Sequence, residues 1–212
     1  PNLGYDRIAD FTSGVLVLSK KRQALVALHA QWRERVTGKR YMAIVRGRWP
    51  LRTKTLNQPL QRYLTPEGER RVCVHAEGQE AISRVTGIRR LALPGLGEFT
   101  QVRVEIETGR THQIRVHLAH AGFPILGDDK YGDFSLNRQL TRLGHRRMFL
   151  HAAELDISHP VGGRRLHLVA PTPESFEAFL RSARLAELDD RVAPGGGAGP
   201  GAANGPSAQE AE

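Results

Sequence analysis

The stretch FTQVRVEIETG, residues 99–109, alternates apolar and polar side chains along most of its length. Val102, Val104 and Ile106 fall on one side, Arg103 and Glu105 on the other. A period of two fits a strand with one face against a core. Such a strand needs partners on its edges, and the sequence supplies several. GVLVLSK (14–20) and KRYMAIVRG (39–47) are apolar and rich in β-branched residues, and RRVCVHA (70–76) alternates again. Further strands are expected within GQEAISRVTGIRRL (78–91), near 148–157 and at 164–169, with GLG (95–97) as a turn. Residues 49–69, with their Pro and polar content, read as a loop.

Helical spacing is confined to a few segments. In KRQALVALHAQWRERV (21–36), Ala24, Leu25, Leu28 and Trp32 recur on one face, and Gly38 is the expected stop. RTHQIRVHLAHAG (110–122) predicts a helix closed by Gly122, and a short helix is expected around 135–143. A last helix should start with Thr172 as N-cap and Pro173 in its first position. Strands therefore outnumber helices. The expected class is α+β, an extended mixed, mainly antiparallel sheet with flanking helices. Its domain should occupy 1–185. From 193 to 212 Gly, Pro and Ala dominate without apolar anchors, which predicts a disordered tail. The first apolar strand arrives almost at once, so the chain is expected to be a segment of a longer protein.

Composition narrows the partner. A 212-residue chain with 40% hydrophobic residues can build a real core. Its formal charge of +9, carried mainly by arginine, favours a polyanion. The basic residues are spread along the chain, which points to a folded nucleic-acid surface rather than a basic arm. No long apolar run or leader occurs, so a soluble, cytoplasmic protein without membrane contact is expected. The lone Cys73 reads as a reduced thiol in a strand. His112, His117 and His120 lie close together without a metal-ligand pattern, and no metal is expected there. Arg110, at the strand-to-helix turn of ETGRTHQIRVH, can aim a guanidinium into a cleft.

Three ordered strings carry a resemblance: TSGVLVLSKKRQALVALHAQWRERVTGKRYMAIVRG, ETGRTHQIRVHLAHAGFPILGDDKYGD and FLHAAELDISHP. Over roughly residues 5–181 the chain resembles the RluA-type RNA pseudouridine synthases, most closely their large-subunit ribosomal RNA branch. The resemblance implies a sheet crossed by a central RNA-binding cleft, acting as a monomer without metal or cofactor. It implies a reaction that breaks the uridine N-glycosidic bond, turns the base and rejoins it through carbon. That chemistry needs a carboxylate beside the ribose and a base lifted from its stack.

The family's loop reads His-Arg-Leu-Asp, two variable residues, then Thr-Ser-Gly. Here it reads Asp6-Arg7-Ile8-Ala9, Asp10-Phe11, Thr12-Ser13-Gly14. By resemblance Arg7 fills the place of the extruded base, and Tyr41, with Lys39 nearby, packs on that base. Arg110 would orient the acid, while Ile114 and Arg115 belong to the same RNA-facing motif. Ala9 stands where the catalytic aspartate should be, and a methyl group can neither attack a sugar nor take a proton. In an extended loop Asp10 would point to roughly the opposite side and would need a local bulge to substitute, and Asp6 lies three positions away. Two readings follow: a synthase disabled at position 9, or an RNA-binding module that has left catalysis behind. The resemblance also places strands before this loop that the chain lacks.

Overall fold

The computed structural model describes residues 12–185. Asp6, Arg7, Ala9 and Asp10, with the tail at 193–212, lie outside the described residues. In chain order the elements are β1 (Ser13–Gly14), α1 (Arg22–Arg33), β2 (Gly38–Arg46), β3 (Thr53–Asn57), β4 (Leu60–Leu64), β5 (Arg70–Val74), β6 (Ile82–Leu93) and β7 (Gly97–Ile106). They continue with α2 (Gln113–His120), α3 (Phe134–Arg142), β8 (Leu150–Ser158), β9 (Arg165–Val169), α4 (Glu174–Ser182) and β10 (Arg184–Leu185). One sheet runs β1-β8-β2-β7-β6-β10, with β3 beside β6 and β9 beside β8, and β4 pairs with β5 as a separate hairpin. Only β1 and β8 pair in parallel among the described strands. The α+β class and the mixed, mainly antiparallel sheet are as the sequence led us to expect.

The alternating strand is β7, between β2 and β6. Val102, Val104 and Ile106 are buried, while Arg103 and Glu105 reach solvent, as the pattern requires. Toward its start β7 is buried on both faces, because Phe99 meets Phe179 of α4 edge-on at 5.9 Å. Phe149 stands 4.8 Å from the same ring, so α4 closes one face of the sheet with aromatic contacts. On the other face α2 sets Ile114 and Leu118 into the main core. The second face is the one that matters for the site.

Local details depart from expectation for identifiable reasons. Helix α1 stops at Arg33, before Gly38, because Arg35 takes the left-handed cap position (φ 58°) and Val36 N–H reaches back to the Gln31 carbonyl. Gly38 instead opens β2. Helix α4 begins one residue later than expected, with Pro173 as its cap. The expected loop at 49–69 contains β3 and β4. Only Leu56 of β3 and Leu60 of β4 are buried, so these strands carry no hydrophobic alternation to read. The apolar run 14–20 keeps only Ser13–Gly14 as strand, although Val15 N–H still bonds to the Ala152 carbonyl.

Gly14 explains why that turn needs glycine. Its φ is +124°, and a Cβ there would stand 2.2 Å from the Ala152 carbonyl oxygen, inside the parallel β1–β8 pairing. Gly144 also has positive φ (92°), but its Cβ would meet open space. We predict that Gly14→Ala lowers unfolding free energy in urea by more than about 2 kcal/mol, while Gly144→Ala costs only about 1 kcal/mol.

Candidate functional site

One row of paired residues crosses four strands of the sheet. Gly14 pairs with Ala152, Ala152 with Tyr41, and Tyr41 with Val104. The exit of the N-terminal loop is therefore two strands from the Tyr41 backbone, about 10 Å. Gly14 and Ala152 put little bulk into the row beside the phenol. Burial raises the Tyr41 pKa, so the ring is neutral and apolar over the physiological range. The Ser13 hydroxyl donates to His151 Nδ1 at 2.8 Å and accepts from Arg147 at 2.7 Å, which ties the turn to β8 from its other side.

Lys39 precedes Tyr41 by two residues and shares its face of β2. Its ammonium lies 3.8 Å from where a Cβ on Gly109 would stand, so β2 and the turn after β7 meet at this end of the sheet. Arg110 follows in that turn, and its Nε–H donates to the Glu80 carbonyl at 3.0 Å. The Glu80 carboxylate takes Arg35 at 2.5 Å. Glu80 thus receives Arg110 on its backbone and Arg35 on its side chain. A pocket of about 240 Å³ opens beside Arg110 and Thr111, floored by Leu60 and Val72 and edged by Arg62 and Gln79.

The residue that fixes the turn is Gln113, which sequence reasoning missed. Its Oε1 accepts from Thr108 Oγ1 at 2.7 Å and from the Arg110 amide at 3.0 Å. Its Nε2 donates to the Ile82 carbonyl at 2.9 Å and to Ser83 Oγ at 3.0 Å. Ile82 N–H closes a loop by donating to Thr108 Oγ1. Ser83 then donates to His117 Nδ1, because His117 Nε2–H must give its proton to the Gln58 carbonyl. Burial lowers the His117 pKa, in keeping with a neutral ring. No sequence pattern announces this network, since its partners on β6 are about thirty residues away.

The other expected site residues take different places. Ile114 is 6% exposed and packs in the main core. Arg115, expected to face RNA, is 3% exposed, its guanidinium bidentate to Asp128 (2.7 and 2.6 Å) and held by Asp129. Its charge is spent on the loop after α2, where Asp128 Oδ1 also accepts the Lys130 and Tyr131 amides. His112 stands outside α2 with left-handed backbone (φ 51°), because its ring turns to Tyr131. The Val72 amide donates to the Tyr131 oxygen, so the phenol proton goes to His112 Nδ1. Burial, then Arg115 and Lys130, lower the His112 pKa to about 4. Arg7 and Ala9 lie outside the described residues. Among the described residues no cluster of three or more His, Cys, Asp or Glu can hold a metal, and no helix is long and apolar enough to cross a membrane.

This end of the sheet offers a neutral aromatic ring and a rigid backbone turn that carries the Arg110 guanidinium, which together suit an anionic ligand carrying a planar base. The chain matches the RNA pseudouridylate synthase family over residues 6–120. It is 44% identical over 177 residues to ribosomal large subunit pseudouridine synthase C of Escherichia coli (strain K12), covering 82% of this chain and 54% of that protein. To the protein of that name from Pasteurella multocida it is 41% identical, covering 82% and 52%. The solved structure of human RNA pseudouridylate synthase domain containing 1 is similar with a TM-score of 0.66 at 26% identity, covering 79% of this chain and 67% of that one. The chain belongs to the RNA pseudouridylate synthase family. It spans about half the length of the curated relatives it matches.

Two outcomes follow from the site's geometry. Gln113→Leu would leave buried donors and acceptors unpaired; we expect a loss of at least about 2 kcal/mol in urea unfolding and faster hydrogen exchange of the Arg110 amide. The fold holds His112 neutral down to about pH 4, whereas an unfolded histidine takes its proton near 6.5. The unfolded state therefore binds more protons between these values. This contribution to stability is complete above about pH 6.5 and is lost as pH falls toward 4. Urea midpoints from pH 4.5 to 7.5 should show the decline, and His112→Gln should flatten it.

Proposed function

We propose that this chain is the pseudouridine synthase domain of an enzyme that isomerises uridine in structured RNA, with large-subunit ribosomal RNA as the substrate class. The observation that carries the reading is the Gly14–Ala152–Tyr41 row, which brings the exit of the N-terminal loop beside the ring expected to hold the base. The names of the bacterial relatives supply the RNA class. In this reading Arg7 enters the stack as the uridine leaves it, and Tyr41 packs against the extruded uracil. Arg110, on the turn fixed by Gln113, would orient the group at position 9. A carboxylate there would attack the sugar or take its 2′ proton. The freed base would turn in place, and a carbon–carbon bond would close the isomerisation. No net oxidation or reduction occurs. The domain would work as a cytoplasmic monomer.

Ala9 favours a second reading, an RNA-binding module without catalysis. The two are separated by restoring the acid. We expect Ala9→Asp to form pseudouridine in a large-subunit ribosomal RNA transcript, measured by nucleoside chromatography, at least about a hundredfold faster than the unaltered chain. A folded Ala9→Asp protein that binds this RNA and leaves every uridine unchanged would establish the binding module instead.

A further inference from the structure

The hydroxyl of Ser13 is held from two directions. Ser13 pairs in register with His151 across the parallel β1–β8 contact, and its O–H donates to His151 Nδ1 at 2.8 Å. An N–H of Arg147 donates to the same oxygen at 2.7 Å. The groups behind settle where each proton sits. His151 Nε2 faces the Ala170 carbonyl at 3.3 Å, which can only accept, so Nδ1 carries the lone pair. Arginine can only donate, so the Ser13 oxygen accepts from it and gives its own proton to the histidine. Burial, then the Arg147 charge, lower the His151 pKa, in keeping with a neutral ring. Both anchors are themselves fixed. Arg147 also donates to Ser175 Oγ at 3.0 Å and to the Met148 carbonyl at 3.1 Å, with its guanidinium 5.1 Å from the Phe176 ring centre. The His151 ring stands 6.1 Å from that same buried phenyl ring.

We propose that Ser13 is a positioning residue for the isomerisation: its hydroxyl, fixed between Arg147 and His151, sets the placement of position 9, four residues upstream. The inference rests on the synthase reading and adds to it the means by which the reacting group is held. β1 has two residues, a short backbone ladder, and Gly14 brings no side chain to it. Ser13 supplies the grip, tying the loop's exit to β8 directly and to α4 by way of Arg147. Ser13 acts through the backbone and not on the substrate. A misplacement of about 1 Å at the reacting group costs on the order of a hundredfold in rate. RNA affinity, shared among many phosphate contacts, is far less sensitive to such a shift.

The test uses the full chain carrying Ala9→Asp with a large-subunit ribosomal RNA transcript, below the unfolding midpoint of every variant. Single-turnover pseudouridine formation and the Kd for the transcript are measured separately. Adding Ser13→Ala is expected to lower the rate at least about tenfold and to leave Kd within about twofold. Ser13→Thr, which keeps the hydroxyl, should retain the rate. His151→Asn, whose amide oxygen can stand in for Nδ1, should also retain it, and His151→Leu should be as slow as Ser13→Ala. Gly95→Ala, a strained substitution (φ 79°) in the turn between β6 and β7, should leave the rate unchanged although it lowers stability. The inference is overturned if Ser13→Ala keeps the rate of an active Ala9→Asp chain, an outcome that leaves the proposed function standing. It is equally overturned if Gly95→Ala matches the loss, since stability alone would then explain it, or if Ser13→Thr and His151→Asn are both as slow as Ser13→Ala. A folded Ala9→Asp chain that leaves every uridine unchanged overturns this inference and the proposed function together.

Discussion

The side-chain amide of Gln113 is bonded on all its sides, and the candidate site depends on that saturation. It joins the end of β6, the Thr108–Arg110 turn and the first turn of α2 into one hydrogen-bonded block. Each partner has its orientation forced by the next, because the Ile82 and Gln58 carbonyls can only accept. Buried polar networks of this kind are rigid when complete and costly when broken. The Arg110 amide is one of its members, so the turn carrying the guanidinium is set by the core rather than by its own loop.

Charge is distributed on the same principle. The chain carries 31 basic and 22 acidic residues, so some cations must lack an acid. Which cations these are is decided by position. Arg115 is deep and bidentate with Asp128, and Arg40 holds both Glu154 and Asp156 at the edge of β8. Arg46 and Arg84 meet Asp133 and Glu107 nearer the surface.

Much of the architecture was legible in sequence because it rests on period and punctuation. The alternation of β7, the helical stripe of α1 and the turn at 95–97 each leave a local trace. β3 and β4 left none, since their ladders to longer partners hold them without an apolar face. Tyr41, Lys39 and Arg110 could be singled out from their motifs, and the structure brings the Tyr41 strand and the Arg110 turn to one end of the sheet. Arg115 could not be judged the same way. Whether an arginine faces solvent or a buried aspartate depends on Asp128, thirteen positions on, and sequence spacing does not tell where that loop folds.

The sequence alone determined the α+β class, the strands with a hydrophobic rhythm, the glycine at position 14 and the alanine at position 9. These are properties of single residues or short runs, and short-range sterics and burial periodicity suffice to express them. Tertiary structure alone decided which polar groups are spent on the fold and which are left over. Hydrogen bonds and ion pairs select partners by distance in space, so the saturation of Gln113 and the pairing of Arg115 with Asp128 exist only once β6, β7, α2 and the loop after α2 have been brought together.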